Sequence, residues 1–213
     1  MNEVLKAIRN RRTVRKFKSY PIDKEMLEMI LEAGRWAPSF SNLQPWMFIV
    51  VRDLGLKIAV DKAARESVLH LGINEAPVVI LVCVDRRIDP LHAIEAGAAA
   101  TQNMTLAAHS LGLGAGWIGI WGTETEASIQ RLFKLPETVR AVSLLPIGIP
   151  DESPEGHRKP LKELTQFRWN AFFPEEALST SLYKKKMARI RRISCNPKPN
   201  ISKPQLRVMS YEL

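Results

Sequence analysis

The chain has 213 residues, 46% of them hydrophobic and 25% charged, ordinary values for a globular protein with enough length to bury a sizeable core. No apolar run approaches the ~18 residues that a transmembrane helix needs, which excludes a helical membrane span. The net charge is +9, but +8 of it falls in residues 179–213, through Lys184, Lys185, Lys186, Arg189, Arg191, Arg192, Lys198, Lys203 and Arg207 against Glu212; the body is near neutral, so a nucleic-acid-binding body is not expected.

Asn2 to Asn10 reads as a first helix, with Val4, Leu5 and Ile8 on one face. A basic turn, Arg11 to Lys18, follows. Pro21-Ile22-Asp23 opens a second helix, in which Asp23 is the expected N-cap and Met26, Leu27, Ile30 and Leu31 recur at helical spacing. Ala37 to Asn42 ends it in a polar loop. Trp46 to Val51 reads as a strand by its aromatic and β-branched content, and Leu54 to Ala64 as a helix. Val78 to Val84, between Pro77 and Asp85, reads as a central strand, with Cys83 as a buried and inert thiol.

Ile94 to Leu111 is apolar nearly all round, which predicts a helix buried on several sides. Its many alanines would let another helix approach closely, and it is a candidate subunit contact. Gly112-Leu113-Gly114 ends it, and Trp117 to Trp121 is the next predicted strand. Thr123 is placed to cap a helix through Phe133. Val139 to Ile147 is a further strand, and a short helix is expected near Leu161 to Phe167. Strands and helices are mixed along the chain, with helices bulky enough to cover both faces of a sheet. Three prolines, Pro197, Pro199 and Pro204, give the end of the basic tail an extended or disordered reading.

Four segments have residues suited to chemistry. Arg11-Arg12-Thr13-Val14-Arg15 offers guanidinium forks and a hydroxyl, which match phosphate oxygens; a solvated basic turn would have the same composition. The loop Pro38-Ser39-Phe40-Ser41-Asn42-Leu43-Gln44 offers hydroxyls and amides to the edge of a planar heterocycle, and ordinary turn chemistry accounts for it equally well. Gly114, Gly116 and Gly119 formally satisfy G-x-G-x-x-G. That dinucleotide fingerprint requires a strand before and a helix after, and here the order is reversed, so these glycines are read as ending a helix and letting backbone approach a flat ligand. Gly156-His157-Arg158-Lys159 is a second basic cluster, or a surface loop. His70, His92, His109 and His157 have no metal spacing, and His109, on the apolar helix, is read as a packing residue. The N-terminus, Met1 to Lys6, lacks the layout of a secretory signal. Cys83 and Cys195 make neither a disulfide framework nor a zinc site, and a cytoplasmic protein is expected.

Taken in order, R-R-T-x-R-x-F, A-P-S-x-S-N-x-Q-P-W, the helix around Gly97-Ala98-Ala99-Ala100-Thr101-Gln102-Asn103-Met104, G-L-G-x-G-W-I-G and R-K-P-L resemble the nitroreductase family over roughly Ile8 to Trp169. The resemblance implies an α+β fold, a three-layer α-β-α sandwich with a central, mostly antiparallel sheet, in an intertwined homodimer with FMN at the subunit interface. It implies a domain over residues 1–170 and is silent on the basic extension over 171–213, which is read as partly extended or disordered, or as wrapping the partner subunit. Arg11, Arg12, Thr13 and Arg15 resemble the residues that hold the FMN phosphate, ribityl chain and pyrimidine edge. Pro38, Ser39, Phe40, Ser41, Asn42 and the adjoining Gln44 resemble the loop laid against the isoalloxazine by the partner subunit. Trp117, Ile118 and Gly119 resemble the backbone near flavin N5, Arg158 a second phosphate ligand, and Lys159 its neighbour. Thr13 stands where many members have serine, and the hydroxyl is kept.

The activity so implied is hydride transfer from NADH or NADPH through flavin N5 to a small electrophile, a nitroaromatic, a quinone or similar, in ping-pong order. No side-chain catalyst and no metal are expected. Two other readings stand beside it: a flavin-binding protein with little turnover, and docking to nucleic acid or another surface through the basic tail.

Overall fold

A computed structural model describes residues 1–64 and 72–165. The basic tail, Cys195, the expected boundary at residue 170 and the end of the helix expected near Phe167 lie outside those residues. The chain divides into a compact unit from Met1 to His157 and a second from Arg158 onward. In the second, the described residues are 158–165, with a single turn of 3-10 helix, Leu161–Glu163, after which the Thr165 hydroxyl donates to the Leu161 carbonyl at 3.0 Å.

The elements of the first unit, in chain order, are α1 (Glu3–Asn10), α2 (Lys24–Arg35), β1 (Trp46–Val51), α3 (Leu54–Ala64), β2 (Val78–Asp85), α4 (Ala93–Ser110), β3 (Gly114–Ala115), β4 (Ile118–Gly119), α5 (Glu124–Phe133) and β5 (Val139–Gly148). The strands form one sheet in the order β1-β2-β5-β3, with β4 also on β5, and every pairing of named strands is antiparallel.

Alternation along the strands builds the layers, because successive side chains point to opposite faces. Val79, Leu81 and Cys83 of β2 pack with Val60 of α3 and Ile129 of α5. Val78, Ile80 and Val82 pack with Leu27 and Ile30 of α2 and Met104 and Ala108 of α4. Strand β2 is buried along its whole length, as its unbroken apolar run predicts for a strand covered on both faces. The result is the expected α+β, three-layer α-β-α sandwich. Burial pushes the Cys83 thiol up to about 12, with the nearby Glu126 carboxylate adding to the rise.

Helix α4 is seated by specific polar links as well as apolar ones. The Thr101 hydroxyl donates to the Gly97 carbonyl at 2.8 Å and lies 2.7 Å from the Ser143 hydroxyl of β5. The Asn103 amide donates to the Ala33 carbonyl of α2 at 3.0 Å. Each satisfies a polar group that burial would otherwise penalise.

Three expectations need correction. The strand expected over Trp117 to Trp121 is two short pieces, β3 and β4, with Gly116 and Trp117 between them. Pro146 of β5 accepts from the Gly116 amide at 2.9 Å but has no N–H to return, so the ladder is interrupted beside it. Asp23 occupies the N-cap position of α2 without making the side-chain cap bond; Asn2 and Thr123 do cap α1 and α5. Arg11 to Lys18 is extended rather than a turn. Buried Val14 and Phe17 anchor it, and Thr13 bridges Ala115 while Phe17 bridges Pro150. Helix α1 buries none of its residues within the chain, and Val4, Leu5 and Ile8 are more than half exposed.

Candidate functional site

The segment after α1 and the glycine-rich segment after α4 come together at one edge of the sheet. Val14 N–H donates to the Ala115 carbonyl at 3.1 Å. A Cβ on Gly114 would lie 2.8 to 3.0 Å from three atoms of the Val14 side chain, so this contact requires glycine. Glu152 secures the other side: its Oε1 accepts from the Arg15 amide at 2.5 Å and the Lys16 amide at 3.2 Å. Two sequence segments separated by five elements therefore form one continuous surface.

A cavity of about 430 Å³ opens beside this junction. Arg11 and Arg12 line it from one side, Thr105 and His109 of α4 from another, and Glu152 from the stretch after β5. The Arg12 guanidinium is oriented by its own backbone, donating from Nη1 to the Arg9 carbonyl at 2.8 Å and the Arg11 carbonyl at 2.9 Å. Two arginines beside a concave, partly polar surface suit an anion.

His109 is expected as a packing residue of the apolar helix. It lies on the last turn of α4, half-buried, and faces the cavity rather than the core. A 3.6-residue period marks Ala108 as buried and leaves its neighbour at the rim; only the cavity, which needs the fold, gives that rim a use.

Of the other expected site residues, Thr13 sits on the bridge to Ala115, and Arg15 is exposed. Trp117 and Gly119 are exposed and Ile118 half-buried. Gly119 is informative: a Cβ there would meet nothing within 4 Å, and its backbone has no positive φ. Among the described residues neither packing nor conformation calls for glycine there, and the backbone is open to close approach. The strand it belongs to is held from the following turn. The Glu126 carboxylate, almost wholly buried, accepts from Arg140 Nε at 2.6 Å, Arg140 Nη2 at 2.8 Å and the Gly122 amide at 2.6 Å.

Pro38, Ser39, Phe40, Ser41, Asn42 and Gln44 form a separate loop between α2 and β1. Its backbone is unusual: Ser41, Asn42 and Gln44 have φ of 46°, 58° and 52°, in the left-handed region that non-glycine residues enter at a cost of about 1 kcal/mol each. The Ser39 hydroxyl accepts from the Gln44 amide at 2.9 Å, and Phe40 packs its exposed ring 5.0 Å from that of His92. None of these residues lines the Arg11 cavity. Arg158 and Lys159 are exposed in the second unit. So the structure joins Arg11, Arg12 and Thr13 to the glycine segment, and holds the Pro38 loop apart from them.

The model of the nitroreductase family matches residues 8–73 and 68–149. The chain belongs to the nitroreductase family. Among its relatives is a provisionally named NADH dehydrogenase/NAD(P)H nitroreductase of Methanothermobacter thermautotrophicus, 37% identical over 71% of this chain and 80% of that protein. An FMN reductase [NAD(P)H] of Bacillus subtilis is 33% identical over 75% of this chain and 71% of its own. Among solved structures, a provisionally named nitroreductase of Desulfovibrio desulfuricans in complex with FMN superposes with a TM-score of 0.70 at 34% identity, covering 79% of this chain and 98% of the other. This nitroreductase-family chain is thus an oxidoreductase by kinship. Among its described residues no helix is long and apolar enough to cross a membrane, and no group of three or more metal-ligating side chains is found.

Proposed function

We propose that the protein binds FMN and uses NADH or NADPH to reduce a small electrophilic acceptor such as a nitroaromatic or a quinone. The observation that carries this reading is the meeting of Arg11 and Arg12 at one cavity, on the sheet edge where Gly119 is exposed backbone with no described residue within 4 Å of the place of a Cβ. Bound FMN would supply the redox chemistry, taking hydride from the nicotinamide and returning it to the acceptor.

The chain's own residues bind and orient. Arg11 and Arg12 would hold the phosphate, and Thr13 would offer its hydroxyl to the ribityl chain. Arg15 would set a positive charge against the pyrimidine edge, where reduction places negative charge. The backbone from Trp117 to Gly119 would lie along the ring near N5, open enough for a flat molecule to reach it. Arg158 and Lys159 would add cations at the phosphate. Pro38, Ser39, Phe40, Ser41, Asn42 and Gln44 would cover the ring of the partner subunit in a homodimer. The separation of that loop from the Arg11 cavity within one chain supports this assignment, as do the half-exposed Ala98, Ala99 and Leu106 on α4 and the bare apolar face of α1.

The visible spectrum of the purified protein tests the reading. Flavin absorption that bleaches on anaerobic addition of NADH or NADPH is expected, with colour restored by an added quinone or nitroaromatic. Arg11→Ala should lower flavin content per subunit. A colourless protein that takes up no added FMN overturns the proposal, and equal flavin content in the variant removes Arg11 from the phosphate site. Retained colour without bleaching by either nicotinamide would make the protein a flavin carrier.

A further inference from the structure

We infer that the cavity beside Trp121 is the seat of the electron acceptor, and that Trp121 and Arg86 select there a planar aromatic molecule bearing an anionic group such as a carboxylate. The inference rests on the FMN reading above and adds to it a substrate class.

Two elements fix the position independently. Along α4, Thr105 and His109 line the Arg11 cavity, while Ile94 and Glu95 line a second cavity of about 410 Å³, together with Trp121, Arg86, Pro90 and Leu91. Thr105 and Ile94 are eleven residues apart, about 16 Å along the helix axis. Between them, the Thr101 hydroxyl meets that of Ser143 on β5, and Ser143 is the register partner of Gly119. Along β5 the order is the same. Gly114 and Ala115, beside the Arg11 cavity, pair with Gly148 and Ile147; Gly119 pairs with Ser143; and the Trp121 amide donates to the Val142 carbonyl at 3.3 Å. Helix and strand both give the order Arg11 cavity, Gly119, Trp121 cavity. A flavin with its phosphate at Arg11 and its ring at Gly119 therefore directs its ring end toward the second cavity.

The side chains of this segment agree. Alternation along extended backbone turns Ile118 and Ile120 into the core with Ile129 and leaves Trp117, Gly119 and Trp121 exposed. Two indoles thus flank the bare backbone of Gly119, and the second continues into the cavity. The turn beyond is held, since the Gly122 amide donates to the buried Glu126 carboxylate at 2.6 Å.

The lining sets the ligand class. Trp121 offers an indole face on which an aromatic ring stacks, and Pro90, Leu91 and Ile94 offer apolar walls. Arg86 supplies the charge. Its Nη2 donates to the Pro90 carbonyl at 3.3 Å, and it has no carboxylate partner among the described residues, whereas the neighbouring Arg87 is held by Asp85 at 2.6 Å. Glu95 also lines the cavity, but it is 70% exposed and stands 3.7 Å from His92 Nδ1. A guanidinium fork with no acid of its own, beside an indole, fits a carboxylate carried on a planar ring.

The test measures dissociation constants of 4-nitrobenzoate and nitrobenzene by calorimetry on the oxidised, flavin-loaded full chain. Wild type, Arg86→Gln, Trp121→Ala and Trp121→Phe are compared, with flavin absorbance per subunit recorded for each. Wild type should hold 4-nitrobenzoate about tenfold more tightly than nitrobenzene, as a hydrogen bond between charged groups predicts. Arg86→Gln should erase that difference and leave nitrobenzene unchanged. Trp121→Ala should weaken both probes about tenfold, Trp121→Phe should keep most of the affinity, and every variant should keep its flavin. Equal affinity of wild type for the two probes overturns the inference, as do wild-type affinities in Arg86→Gln or in Trp121→Ala; each leaves the flavin reading intact. Loss of flavin from Trp121→Ala also overturns it, since it would mark a cofactor contact. A wild type that takes up no flavin overturns both.

Discussion

Gly114 and Gly119 stand on the same short stretch of chain in opposite surroundings. At Gly114 the space is taken by Val14, so the glycine is explained by the protein's own packing. At Gly119 no described residue lies within 4 Å of where a Cβ would stand, so the described chain leaves room there, which the proposed flavin would occupy. The comparison separates scaffold from site within one segment that sequence alone treats as a single glycine-rich motif.

Three substitutions and one labelling experiment test the distinction. The largest effect is expected where the open strand is anchored. Glu126→Ala strips the half-buried Arg140 guanidinium and the Gly122 amide of their buried acceptor, and breaking such a pair costs about 3 kcal/mol. Urea unfolding of the full chain should show it, and a midpoint equal to wild type would mean that the turn after Gly119 holds itself. Next, Gly114→Val drives two methyl groups into Val14 and should cost about 2 kcal/mol, visible in the same measurement. If it is tolerated, Gly114 is no more constrained than Gly119 and the contrast fails.

Gly119→Ala should leave stability within about 0.5 kcal/mol of wild type and weaken FMN binding about tenfold, because the added methyl enters the space assigned to the ring. Unchanged flavin affinity would return Gly119 to an ordinary surface position. The smallest effect concerns the shared core behind both glycines. The Cys83 thiol is pushed up to about 12 by burial, so the folded state keeps a proton that an unfolded chain releases at an ordinary thiol pKa, ~8.5. Its contribution to stability is complete below that ordinary value and declines as pH rises toward about 12. In the native protein Cys83 should resist alkylation at mildly alkaline pH and react once unfolded; labelling of the native state would show that the core opens.

Much of the fold was legible because burial enforces pattern. The unbroken run at Val78 to Val84 is bounded by Pro77 and Asp85, and β1 follows from its aromatic and β-branched content. Thr123 was legible as a cap because its hydroxyl has one useful task at a helix start. The break between β3 and β4 was not, since it depends on Pro146, a residue distant in sequence that becomes a neighbour only in the sheet. The site was legible as separate segments. That Arg11 to Thr13 meet Gly114 to Gly116 is a fact of strand order, and the place of His109 at the cavity is a fact of how α4 is rotated against β5. Neither is encoded locally.

The loop from Pro38 to Gln44 carries three left-handed residues yet is held by its own bonds, Ser39 to Gln44, Ser39 to Asn42 and Phe40 to Leu43. Its shape is therefore fixed before anything meets it. A surface docking on this loop does not have to freeze it, and avoids an ordering cost of roughly 1 kcal/mol per residue. The strain is borne by folding, so that association can be fast and undemanding, and β-branched residues are shut out of positions 41, 42 and 44 whatever contacts they would make.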